Sequence, residues 1–245
     1  LIVSNNPNLT LLICENNNLS SIDVSQNPSL RLFNCGRNQL TEIDVSNNIA
    51  LEIFNPEVNE LSNLDISTNT NLLLLQCGAN PLISLDVSNN LLLESLSVWD
   101  SQITNINVSQ NLNLVELNIP ENELTALDVS QNTELTRLTC QENNIESLDL
   151  SQNGNIDYLY CIDNQLTYLN INNENNEILQ TFYSFNNPNL SCIQVDDEVY
   201  ANTTICGLQP DWCKDEATIY SENCPLSVSE NNIEELISIY PNPTK

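Results

Sequence analysis

The chain has 245 residues, 40% of them hydrophobic, with 33 acidic side chains against 5 basic ones, a formal charge of −28, and neither histidine nor methionine. Nucleic acids and anionic membrane surfaces are recognised by lysine and arginine that displace counterions, and this chain offers only Arg31, Arg37, Arg137, Lys214 and Lys245. Without imidazole, the triads and dyads built on it and the commonest zinc ligand are excluded, and no apolar run approaches the ~20 residues of a membrane-spanning helix.

From its first residue the chain repeats. Strings of the type LDVS or IDVS align on starts at Leu1, Ile22, Ile43, Leu64, Leu85, Ile106, Leu127, Leu148 and Leu169. The first eight units follow one another without a gap at a constant 21-residue period, and the ninth, Leu169 to Cys192, is longer by three. Each unit reads I/L-D-V-S-x-N-x-x-L-x-x-L-x-C-x-x-N-x-L-x-x. A unit this short cannot bury its own apolar face, so neighbours must stack and share one core. Around Phe33 and Cys35 the inward side chains alternate with Leu32 and Asn34, which is the period of a strand with one buried face. Stacking at ~4.8 Å per unit gives a sheet on the order of 40 Å long. A second apolar pair, such as Ile22 and Val24, points inward from the opposite, convex wall and leaves Asp23 and Ser25 outward.

The second half of the unit, L-x-x-L-x-C-x-x-N-x-L, is Leu30, Leu32-Phe33-Asn34-Cys35, Asn38 and Leu40 in the second repeat, and Leu135, Leu138, Cys140, Asn143 and Ile145 in the seventh. It resembles the leucine-rich repeat consensus over residues 1–192, and the 21-residue length with an LDVSxN half is similar to a bacterial class of these repeats. The resemblance implies an α/β-type solenoid, mostly β and irregular: a right-handed superhelix with a parallel sheet on its concave face.

Three residue types form columns. Asn recurs as Asn17, Asn38, Asn59, Asn80, Asn122, Asn143, Asn164 and Asn187, interrupted by Ser101, and again as Asn6, Asn27, Asn48, Asn69, Asn90, Asn111, Asn132 and Asn153. A buried amide can satisfy the backbone groups of a turning chain and bond its stacked neighbour, so both columns are structural, and the sequons at Asn8 and Asn18 are not glycosylation sites. Asp23, Asp44, Asp65, Asp86, Asp128 and Asp149 share a convex position with Asn107 and Asn170. Bonding to the nearby serine and backbone amides explains them; calcium along this column is the sharper alternative, without the usual loop spacing. No other cofactor or metal is expected. Cys14, Cys35, Cys77, Cys140 and Cys161 occupy one position that also takes Pro56, Val98 and Ile119, and a site that accepts Val or Ile is an apolar core site.

Beyond the repeat phase come Cys192, Cys206, Cys213 and Cys224. Three pairings are possible. The preferred one, Cys192–Cys224 with Cys206–Cys213, closes the terminal segment onto the last repeat, covers its apolar end and implies an oxidising compartment. Residues 193–224 resemble the C-terminal caps of secreted leucine-rich repeat proteins of the Bacteroidetes group. Residues 225–236 read as an acidic linker, and the YPNP string of 237–245 resembles the opening of a type IX secretion sorting domain, truncated here. That resemblance implies a secreted protein, or one on the outer-membrane surface of a Gram-negative bacterium. The bare apolar start at Leu1 is expected to be preceded by further repeats or a cap.

Outward side chains of the concave strands form two columns. One is Leu11, Leu32, Ile53, Leu74, Ser95, Glu116, Arg137, Tyr158 and Thr181; the other is Ile13, Asn34, Asn55, Gln76, Ser97, Asn118, Thr139, Tyr160 and Tyr183. Aliphatic residues gather at one end; Tyr158, Tyr160, Tyr183 and Phe185 gather at the other, with Arg137 nearby and Trp99 just past a strand. Exposed aromatic and aliphatic side chains on a concave sheet are the material of a binding surface. Nothing reads as a nucleophile with its base or as a phosphate loop, so the chain is not an enzyme. The expectation is a monomeric binding module that recognises an extracellular protein. A neutral-glycan adhesin and a passive spacer are the alternatives.

Overall fold

The structure is a computed structural model that describes residues 1–225; the predicted sorting-domain string and all but the first residue of the predicted linker lie outside them. The chain coils as a β-solenoid. Its concave sheet is parallel and uses one three-residue strand per turn: β1 Leu11–Ile13, β2 Leu32–Asn34, β3 Ile53–Asn55, β4 Leu74–Gln76, β5 Ser95–Ser97, β6 Glu116–Asn118 and β7 Arg137–Thr139. After these, concave and convex strands alternate along the chain: β8 Ser147–Asp149, β9 Tyr158–Tyr160, β10 Tyr168–Asn170, β11 Thr181–Tyr183, β12 Cys192–Gln194, β13 Asp211–Cys213 and β14 Ile219–Ser221. The concave sheet runs β1 to β7, then β9, β11 and β13, while β8, β10, β12 and β14 form a four-stranded parallel sheet on the convex side.

As expected of a solenoid that is mostly β and irregular, the only α-helix among the described residues is α1, Glu198–Ala201, with one further 3-10 turn at Asn176–Ile178. The reason is length. A coil this short, which must also hold a strand and its turns, has no room for helical turns, so the convex wall stays extended.

Each strand buries its central residue, and the stacked leucines and phenylalanines form one continuous core. Phe33 and Phe54 stack at 5.5 Å between ring centres. Burying a side chain of this size contributes ~1.5–3 kcal/mol. The five unpaired cysteines all lie in this core, as their exchange with Val98 and Ile119 requires. Burial raises the thiols, Cys77 and Cys140 to about 12, so they stay protonated.

The asparagine columns solve the problem of turning without glycine. Asn59 donates to the carbonyls of Cys35 at 3.1 Å and Pro56 at 3.0 Å, while its Oδ1 accepts the Leu40 amide at 2.9 Å. The second column is used differently. Asn69 donates to the carbonyls of Val45 and Asn48, both at 3.0 Å, but its Oδ1 and those of Asn27, Asn48, Asn90, Asn111, Asn132 and Asn153 accept nothing. The two donors carry the role there, because two converging carbonyls fix the amide plane and aim the oxygen into the wall.

The turn out of each concave strand from β1 to β11 passes through a residue in the left-handed region. These are Asn16, Arg37, Val58, Ala79, Asp100, Glu121, Glu142, Asp163 and Asn186, with φ between 46° and 59° and not one glycine. Cross-repeat amide bonds hold the conformation, as in Arg37 N–H to Glu57 O at 2.8 Å.

At the C-terminal end the coil continues past residue 192, since β12, β13 and β14 supply a further turn. Disulfides join Cys192 to Cys224 and Cys206 to Cys213. Trp212, at the centre of β13, is 2% exposed, meets Phe182 edge-on at 5.3 Å and donates its indole N–H to Leu179 O at 2.8 Å. Tyr200 and Tyr220 pack around it, so aromatic rings close the core.

Candidate binding surface on the concave sheet

In-register pairing turns the outward strand positions into continuous columns. Leu11, Leu32, Ile53 and Leu74 lie side by side on β1 to β4, and the column continues through Ser95, Glu116, Arg137, Tyr158 and Thr181 to Asp211. Leu11 is 52% exposed at the sheet edge, whereas Leu32, Ile53 and Leu74 are half-buried by one another.

The middle of the face is a polar bowl of about 290 Å³ lined by Gln76, Ser95, Ser97, Glu116, Asn118, Arg137 and Thr139. It exists because Ser95 and Ser97 are small where their neighbours are large. Asn118 donates to Ser97 Oγ at 2.8 Å, and the Thr139 hydroxyl donates to Asn118 Oδ1. Arg137 approaches Glu116 at 3.7 Å and lays its guanidinium over the Tyr158 ring, 4.3 Å from its centre.

Next to the bowl stands the aromatic cluster. Tyr158 and Tyr160 project from the same side of β9 and stack at 4.9 Å with planes 9° apart. Tyr160 meets Tyr183 at 4.5 Å, and Tyr183 meets Phe185 at 6.1 Å. The Tyr183 hydroxyl donates to Asp211, which belongs to the additional turn. Burial raises Tyr160 above the ordinary phenol range, and the bond to Asp211 raises Tyr183, so both remain protonated donors at neutral pH. The four aromatic residues read from the sequence are thus one contiguous cluster, ordered from both ends.

Trp99 is apart from them. It joins none of these ring contacts and lies over Gly78 of the preceding repeat, where an added Cβ would come within 2.4 Å of the indole Cδ1. Its strand, β5, is three strands from β9 in the sheet, ~14 Å at normal strand spacing.

Nothing in the repeat phase marks Asp211 and Trp212 as site or core residues. The triplet Asp211-Trp212-Cys213 shares the buried central residue of the repeat strands, but its distance along the chain from Thr181-Phe182-Tyr183 is longer than the repeat period. Among the described residues the one cluster of three metal-ligating side chains is Cys206, Asp211 and Cys213, and both sulfurs are committed to a disulfide. In the convex column the amide of Ser25 donates to Asp23 Oδ1 at 2.9 Å, and Ser46, Ser67 and Ser88 repeat the contact. No described helix is long and apolar enough to cross a membrane.

No protein-family model matches the chain, and no curated protein does. Among solved structures it is similar to the functional domain of InlJ from Listeria monocytogenes, described as including a cysteine ladder, at 34% identity and a TM-score of 0.71, covering 80% of this chain and 46% of that one. A leucine-rich repeat protein of Leptospira interrogans matches at 25% identity and a TM-score of 0.60, covering 73% of this chain and 46% of that one. Internalin C2 of Listeria monocytogenes, at 22% identity and a TM-score of 0.62 over 64% of this chain and 73% of that one, shares the fold. The chain therefore spans about half the length of the first two structures. Repeat length, in-register parallel sheet and structural neighbours agree: the chain has the leucine-rich repeat solenoid fold.

Proposed function

We propose that this solenoid is a secreted or surface-displayed module that binds an extracellular protein through its concave face, with Tyr158, Tyr160 and Tyr183 as the anchor. The observation that carries the reading is the ordered aromatic cluster. Arg137 holds it from one side and Asp211 from the other, so little side-chain entropy remains to be lost on binding. Large rings that are already fixed are the residues that dominate protein interfaces. Two disulfides in the last turn fit an oxidising compartment. The outer surface of a Gram-negative cell is part of the same proposal, as is a monomeric state.

Ring geometry favours a protein over a glycan. A sugar stacks on an open aromatic face. The Arg137 guanidinium at 4.3 Å and the Tyr160 ring at 4.9 Å both crowd Tyr158 and leave it less open ring surface for a sugar. Tyr160 is likewise contacted by Tyr158 and Tyr183. Large rings with polar hydroxyl tips suit the mixed apolar and peptide surface of a protein partner.

The test is retention on a mixed array of neutral glycans, anionic glycans and extracellular proteins, comparing the parent with Y158A/Y160A/Y183A. Retention on a protein that the variant loses, with its melting temperature kept, supports the reading. Undiminished retention in the variant counts against it, and a folded parent that holds to nothing favours a spacer.

A further inference from the structure

The concave face is electrically lopsided. In the N-terminal half each arginine is paired across neighbouring repeats, Arg31 with Glu52 at 2.7 Å and Arg37 with Glu57 at 3.8 Å. Arg37 occupies the left-handed turn position that leaves its strand. In the repeats of β5, β6, β7 and β9 that same position holds Asp100, Glu121, Glu142 and Asp163, all exposed and none in an ion pair among the described residues. Their amides donate to the carbonyls of Pro120, Gln141, Ile162 and Phe185, at 3.2, 3.0, 3.1 and 3.2 Å, so the row is stitched into the sheet margin. Asp163 also accepts the Asn186 side-chain amide at 2.9 Å, which fixes the end of the row. The one arginine in this half, Arg137, is turned to Glu116 and Tyr158. The row ends beside the aromatic cluster, because Phe185 follows the strand that carries Tyr183.

We infer that the partner is an extended, lysine- or arginine-rich protein segment, lying across the strand ends with its cations on the row Asp100–Glu121–Glu142–Asp163 and an apolar residue against Tyr183 and Phe185. This deepens the proposed concave binding and rests on it. Four carboxylates at strand spacing span ~14 Å, and three alternate side chains of an extended segment span ~13 Å. Flexible lysine and arginine stems absorb the difference. Like charges held in a fixed row repel one another, and a cationic segment relieves that repulsion as it binds. An anionic segment finds no unpaired arginine on the described part of this face.

The probe is a synthetic peptide, Phe-(Ser-Lys)3-Ser-Phe, with Gln and Glu replacing Lys in two controls. Binding to the parent is compared with D100N/E121Q/E142Q/D163N and with D23N/D44N/D65N/D86N, which removes the same charge from the convex wall. Asn107 occupies that convex position naturally and accepts the Ser109 amide at 3.0 Å, so the second variant keeps its hydrogen bonds. The expected result is at least about tenfold weaker lysine-peptide binding in the first variant, little change in the second, and a further loss as salt rises. Equal weakening in both variants would mean diffuse attraction and would overturn the inference, as would a lysine peptide bound no better than the glutamine one. Glutamine-peptide binding that Y158A/Y160A/Y183A abolishes would overturn it too, while leaving concave recognition standing. A parent that binds no peptide and is retained on no protein of the array would end both.

Discussion

At the scale of single residues, the unusual feature is a left-handed turn repeated nine times without glycine. An L-residue there costs ~1–2 kcal/mol, least for Asn and most for a β-branched side chain. Val58, at φ 54°, is the β-branched member of the column, and Asn16 and Asn186 show that asparagine fits. Val58→Asn is therefore expected to stabilise the chain by about 1 kcal/mol, seen as a higher melting temperature; an unchanged or lower one would place the strain elsewhere. Gly78 is a different case, since its backbone is ordinary and the crowding comes from Trp99. An indole is the movable end of a side chain, so Gly78→Ala should leave the melting temperature nearly unchanged while displacing Trp99 toward water. A red shift in tryptophan emission would register this, because Trp212, the other tryptophan, stays buried. Emission identical to the parent would refute it.

At the scale of elements, the convex aspartates form a register column whose acidity is set by its own turns. Hydrogen bonds from Ser25, through its hydroxyl and then its amide, hold Asp23 below its ordinary value of 3.8, and Asp44, Asp65 and Asp86 are lowered by Ser46, Ser67 and Ser88. A carboxyl depressed in the folded chain contributes stability that is fully present above the ordinary value. That stability is lost as pH falls through the folded one. Melting temperatures of the parent should therefore drop below pH ~4, and D23N/D44N/D65N/D86N should flatten that drop. The serine amides already take Oδ1 of each of these carboxylates, so millimolar calcium against chelator should leave the parent's melting temperature unmoved. A rise of several degrees with calcium would revive an ion along the column.

At the scale of the whole molecule, a solenoid is stabilised by each turn on the next and is exposed at its ends. The C-terminal end is closed by Trp212, Tyr200 and Tyr220 and tied by Cys192–Cys224, which spans 32 residues. Removing that tie as C192S/C224S should cost about 3–4 kcal/mol on a loop-closure argument. Urea titration followed by Trp212 fluorescence reads it out. A loss below ~1 kcal/mol would show that the aromatic contacts alone hold the last turn.

Everything that recurs once per coil is legible in the linear chain. Leu32-Phe33-Asn34 states strand, burial and facing in three letters, and an undisturbed 21-residue phase then assigns the same face to Tyr158 and Tyr160. Periodicity carries that information because stacked turns must superpose. Packing in three dimensions sets what breaks the period or depends on a neighbour. Asp211-Trp212-Cys213 joins the concave sheet only because the preceding loop brings it there, and the orientation of the Tyr158, Tyr160 and Tyr183 rings depends on Arg137 and Asp211 closing on them. The convex wall stays extended rather than helical because the coil is short. Contacts between residues far apart in the chain, such as Tyr183 with Asp211, leave no mark on local pattern. They arise from loop closure and side-chain packing, which no single repeat encodes.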